Sequence, residues 1–281
     1  MASRNTCHVR SNSFPSRSHP LSSRVEEQLC SLRSFSEATT SSSSSSLCNR
    51  LSGLKDLQES IDSLLQLQQT QQALSREENN ICVEQVLDGS LRVLDVCGIT
   101  RDVFSQMNQC LQELQSSLRR RKAESSLENE ISAYMISKKK LTKMISTRVG
   151  NLKTMKKNCT SENSEISMLI EVEEITMAAF QSLLSFISQP KSTKSIVLKM
   201  FQSKRVSCEG LSCERANEVE KVEAKLVVLK SSKNISVTEV QKLLKRLEAI
   251  ESNIQELEEE LECVFRCLMK TRVSLLNIFN H

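Results

Sequence analysis

"SVTEVQKLLKRLEAIESNIQELEEELECVFRCLMKTRVSLLNI", residues 236–278, decides the class of fold. Leu243, Leu247, Ile250, Ile254, Leu257, Leu261, Val264, Leu268, Leu275 and Ile278 recur at helical spacing, with Thr271 as a polar break. That period puts them on one face of a continuous α-helix. Ser236 followed by Glu239 has the form of a capping box, with Ile235 and Val240 at the staple positions, so the helix is expected to start there. A seam this long suits a coiled coil. Leu244 and Phe265 widen it beyond a two-helix seam, and a wider stripe wants several neighbours, as in an intramolecular bundle rather than a parallel homodimer.

Upstream, the same period repeats. Leu47, Leu51, Leu54, Ile61 and Leu65 form one stripe. Ser75 with Glu78 reads as a capping box before Ile81, Val86, Leu87, Leu91 and Leu94, a helix expected to stop at Gly98. Thr100 then caps a third helix with Val103, Phe104, Met107, Leu111, Leu114 and Leu118. Ser125 with Glu128 opens a helix bearing Ile131, Met135, Leu141, Ile145, Val149 and Leu152. Another runs from about Ser164 and stops before Pro190, and a further one carries Val219, Val222, Leu226 and Leu229. Short connections between such helices favour antiparallel neighbours.

Composition agrees. In 281 residues there are 5 glycines, 3 prolines, no tryptophan and one tyrosine, too few turn and aromatic residues for a sheet protein of this size. The longest uncharged apolar stretch, 175–189, is too short and too polar to span a bilayer. The 11 cysteines, an odd number with no secretory signal before them, read as reduced thiols serving as small apolar side chains.

The first 46 residues differ. Residues 1–21 carry Arg4, Arg10 and Arg17 without an acid and without an apolar period, which reads as a disordered basic leader. Ser23 with Glu26 caps a short helix over about 24–34, and the hydroxyl-rich run 38–46 reads as a flexible tether. The expected architecture is therefore all-α: an elongated multi-helix bundle over 47–281 with a coiled-coil-like last helix, behind a leader over 1–46.

Chemistry is sparse. Cys208 with Cys213 and Cys263 with Cys267 lack a second pair at zinc spacing, and His8, His19 and His281 lie near the ends. With no phosphate loop, nucleophile elbow or histidine dyad, no catalytic residue, metal or cofactor is expected. Charge is uneven: residues 119–157 hold twelve Lys or Arg against three Glu, and 236–262 hold eight Glu against three Lys or Arg. Either these faces meet or are solvated, or Arg119, Arg120, Arg121, Lys122, Lys138, Lys139, Lys140 and Lys143 form a basic surface for an anionic partner such as a membrane. The lack of interleaved aromatics disfavours nucleic acid. In the leader, Arg10, Ser13 and Pro15 have the spacing of a basophilic kinase site, which also resembles the phosphoserine motif docked by 14-3-3 proteins.

The leader "RSNSFPSRSHPL" (10–21), "SRVEEQLCSLRS" (23–34), "LSGLKDLQESIDSLLQL" (51–67), "LDGSLRVLDVCGITRDV" (87–103) and "LRRRK" (118–122) together resemble the plant BYPASS-related family. The likeness runs from about Val9 to the last helix. It implies plant origin, no known enzymatic activity and an association with root and shoot development, and it supplies no catalytic residues. The expected function is a non-enzymatic helical interaction or scaffold protein in plant growth regulation, with protein partners on its helical surfaces. The alternative is a peripheral membrane protein docking through 119–157. A cytoplasmic location is expected because the leader belongs to the likeness; a plastid transit peptide is the other reading of its composition.

Overall fold

The computed structural model describes residues 19–38, 43–77, 80–120, 124–152, 163–188, 217–231 and 236–280, which are almost wholly helical. Among them are eight α-helices: α1 (Pro20–Ala38), α2 (Ser44–Leu65), α3 (Gln68–Ser75), α4 (Asn80–Arg119), α5 (Glu124–Leu152), α6 (Ser164–Ser188), α7 (Glu218–Lys230) and α8 (Val237–Phe279).

At 43 residues, α8 is about 65 Å long and forms the mast of the bundle. Every residue of its expected seam is buried, Thr271 included. The seam packs on α2 and α4; α4 in turn carries α5 and α6, α3 and α7 also rest on α8, and α1 covers α2 and α6. One hydrophobic core joins residues of α1 through α8. The broad stripe is thus satisfied within the chain by several helices. Ser236 caps α8 as expected, its Oγ accepting from the Glu239 N–H at 3.2 Å; Ile235 lies outside the described residues.

Three boundaries differ from the sequence reading. Asn80–Arg119 is one 40-residue helix, without a break at Gly98. Thr100 is fully buried inside it. Its hydroxyl donates to the Val96 carbonyl at 2.7 Å, so it is satisfied without capping anything. An isolated glycine costs a helix only about 1 kcal/mol, which the flanking apolar stripe overrides. Ser75 closes α3 instead of opening a helix, donating to the Gln71 carbonyl at 2.8 Å. Residues 44–46 of the expected tether are helical, and 39–42 lie outside the described residues. Ser43 caps α2 by accepting from the Ser46 N–H at 3.3 Å, and Ser44 is buried in its first turn.

The leader helix also extends further than 24–34. It begins at Pro20, with His19 Nδ1 accepting from the Leu21 N–H at 3.2 Å, and its Val25, Leu29 and Leu32 belong to the common core. Two asparagines tie the remaining helices down. Asn163 caps α6 through Oδ1 and donates from Nδ2 to the Ala73 carbonyl at 3.0 Å. Asn217 caps α7 and donates to the Phe186 carbonyl at 2.9 Å. Cys82, fully buried on α4, is disulfide-bonded, so not every cysteine is the free thiol expected.

Candidate functional site

The segment 87–103 lies where α4 crosses α6 and α8, and its polar residues form a node there. Gly89 sits so close to the Glu173 carboxylate of α6 that a β-carbon would collide with it. Arg92, one turn on, pairs with the same carboxylate at 2.5 Å. From α8, Arg272 Nη1 donates to the Leu87 carbonyl and to Ser90 Oγ, each at 2.7 Å. Next to this, α2 contributes Gln58. Its Nε2 donates to Thr176 Oγ1 of α6 at 3.3 Å, and its Oε1 accepts from Thr271 Oγ1 of α8 at 3.5 Å. Thr176 Oγ1 in turn donates to the Val172 carbonyl at 2.6 Å. A cavity of about 40 Å³ bounded by Gln58, Ser90, Glu173, Thr176 and Thr271 remains between them, enough for a buried water.

Such a network does two things. Each buried polar group would cost about 1–3 kcal/mol if its partner were lost. Sliding any of the four helices by one turn would strand several at once, so the node fixes register in a core whose leucines would tolerate other alignments. The polar break at Thr271, visible in the sequence, is the place where α8 joins it. Gln58, Arg92, Glu173, Thr176 and Arg272 were not legible, because each is an ordinary polar helix residue until its neighbour is known.

The acidic stretch of α8 faces α4. Arg101 pairs with Glu262 at 2.6 Å, Asn108 donates to Glu258 at 3.2 Å, Gln115 to Glu251 at 2.7 Å, and Arg119 to Glu248 at 2.8 Å. Positions on α4 rise as those on α8 fall, so the helices run antiparallel in a constant register. Among the described residues of the expected basic surface, Arg119 alone is paired with these acids.

The rest of that surface divides. Arg120, Lys139, Lys140 and Lys143 are exposed. Arg121 and Lys122 lie outside the described residues, as do Arg10, Ser13 and Pro15. Lys138 is a correction: it is only 7% exposed and ion-paired with buried Glu223 of α7. Burial pulls its ammonium from 10.5 down to about 8, with Glu220 opposing the shift. Burial likewise raises the Glu220 carboxyl above its usual range. The sequence did hold a signal for this. Lys138 falls on the helical stripe of Ile131, Tyr134, Leu141 and Ile145, but the run of three lysines at 138–140 hid it.

Among the described residues no group of three or more His, Cys, Asp or Glu could hold a metal ion. Cys263 and Cys267 are free thiols on α8, and Cys208 and Cys213 lie outside the described residues. No described helix is long and apolar enough to cross a membrane. A family model described as "Protein BPS1" matches residues 50–278, the span from α2 to the end of α8. No curated protein and no solved structure matches the chain.

Proposed function

The chain belongs to the BPS1 family, which carries a role in plant development, and on that premise we propose that it acts there as a non-enzymatic interaction protein, in root and shoot growth. The observation that supports this reading is the exposure of three large apolar side chains on α4 and α8. Leu91 is 45% exposed, Met269 45% and Val273 51%. Leu91 lies on α4 and Met269 and Val273 on α8, the two helices that Arg272 ties together through Leu87 and Ser90. Large apolar side chains left exposed on adjoining helices suit a protein contact. Affinity purification from plant tissue, comparing the parent with a Leu91→Lys, Met269→Lys, Val273→Lys variant, tests it. Partners lost only by the variant support the reading; an identical set of partners contradicts it.

The membrane reading rests on exposed Lys139, Lys140 and Lys143, which lie within one turn of α5. Flotation with anionic vesicles, lost on changing all three to glutamine, would favour it. The leader adds a separate proposal, phosphoserine docking at Arg10, Ser13 and Pro15 by a 14-3-3 protein. A peptide of residues 7–20, with and without phosphate on Ser13, measures this directly; equal weak binding by both forms counts against it. A cytoplasmic location is part of the same reading, and a C-terminal fluorescent fusion found inside plastids would overturn it.

A further inference from the structure

The short helix α3 has two faces. Thr70 and Leu74 are buried against the bundle. Gln68, Gln71, Gln72 and Ser75 fall at i, i+3, i+4 and i+7, so they share another side of the helix. That side fronts a groove of about 480 Å³. Gln66 lines it from the end of α2, and Ser274, Asn277 and Ile278 line it from the last turns of α8. The volume falls within the range of about 300–1,000 Å³ typical of small-molecule sites.

None of these eight side chains is ionisable, in a chain of which 26% of the residues are charged. Asp62, which accepts from Ser274 Oγ at 3.4 Å, is not part of the lining. The protein uses only some of the polar groups. Gln71 Nε2 donates to the Leu65 carbonyl at 3.0 Å, Gln66 Nε2 to Ser274 Oγ at 3.4 Å, and Ser75 Oγ to the Gln71 carbonyl at 2.8 Å. The side-chain amides of Gln68, Gln72 and Asn277, and the side-chain oxygens of Gln66 and Gln71, have no protein partner among the described residues. A charged ligand would lose hydration here without meeting an opposite charge. An apolar one would cover the amides without bonding them. The amides of a peptide are too widely spaced to meet so many polar groups around one groove. A molecule with a hydroxyl on almost every carbon offers a donor and an acceptor to each of them.

We propose that this groove binds a neutral sugar of disaccharide size, its hydroxyls bonded to the free amides of Gln68, Gln72 and Asn277 and a C–H face resting on Ile278. The oxygen of an amide accepts from one hydroxyl while its nitrogen donates to the next, so neighbouring hydroxyls on a ring satisfy one side chain together. With no charge in the lining, binding is expected to be indifferent to salt. Because α2, α3 and α8 all contribute walls, occupancy would also tie α3 to the bundle. This inference is independent of the interaction reading above, since Leu91, Met269 and Val273 lie outside the lining.

The test is saturation-transfer NMR on the full chain with three probes: sucrose, sucrose 6-phosphate, which adds charge to the same skeleton, and N-acetylglycinamide, a neutral amide. Sucrose is expected to receive saturation, and the other two several-fold less. Gln68, Gln72 and Asn277 are exposed, so replacing them should leave the helical circular dichroism unchanged. Gln72→Met alone should cut the sucrose signal several-fold, and Gln68→Met, Gln72→Met, Asn277→Met together should abolish it. Gln69→Met, exposed on α3 but outside the lining, should leave it as in the parent. No saturation of sucrose by the parent chain overturns the proposal, as does a signal that survives the triple substitution or falls as far with Gln69→Met. Equal signals from all three probes, or displacement of sucrose by N-acetylglycinamide, would also overturn it.

Discussion

Gly89 of α4 faces the Glu173 carboxylate of α6 so closely that a β-carbon at 89 would have to displace it. Glu173 cannot simply swing away, because its carboxylate holds Arg92 at 2.5 Å in a largely buried setting. Gly89→Ala is therefore expected to destabilise by about 1–2 kcal/mol, although alanine is the better helix former by about 1 kcal/mol. Gly98, where a β-carbon meets nothing within 4 Å, is the internal control. Gly98→Ala should stabilise by about 0.5–1 kcal/mol. Urea unfolding of the two variants would show opposite signs; two stabilised variants would mean that the α4–α6 contact is not as tight as described.

Lys138 and Glu223 form a buried pair between α5 and α7. Lys138→Met leaves the buried Glu223 carboxylate without its cation and should cost about 3–5 kcal/mol. Adding Glu223→Leu removes the stranded charge and should restore most of that loss. Equal stability of the single and double variants by urea unfolding would show that the pair is solvated. The same variants probe the basic surface: Lys138→Gln should unfold the chain more readily without weakening any binding that Lys139→Gln impairs.

Fold class and the path of the core were legible because they depend on periodicity alone. Leu243 to Ile278 could be placed on one face without knowing what covers it. Boundaries were harder wherever one residue type serves two roles. Thr100 and Ser75 look like caps, yet each returns its hydroxyl to the carbonyl four residues back. Gly98 looks like a helix stop, yet nothing crowds it and the helix continues. The polar node was mostly hidden, since Gln58 and Thr176 lie 118 residues apart and acquire meaning only by meeting. The leader residues Arg10, Ser13 and Pro15 stay a matter of sequence.

Burial in α4 pushes the Cys97 thiol from 9.0 up to about 12, with Arg101 opposing and Glu262 adding to the shift. As pH rises above 9 the unfolded thiol ionises while the folded one keeps its proton. The unfolded chain then binds fewer protons, so stability is lost as pH climbs from 9 toward 12. Cys97→Ala removes this contribution. The stability advantage of the parent over the variant should shrink from neutral pH to about pH 10.5, read as the difference in Tm. A difference that stays constant over that range would mean the thiol is open to solvent.

The central claim is that the α8 seam is the core of a bundle formed within one chain, and Leu257 tests it at its midpoint. Leu257 is fully buried on the seam, whereas its neighbour Gln255 is exposed. An aspartate at 257 must lose its hydration or its charge, at a cost of several kcal/mol. Thermal melting followed by circular dichroism should place Leu257→Asp about 10 °C or more below the parent, with Gln255→Asp close to it. A Leu257→Asp chain that melts with the parent would contradict the packing of α8 described here.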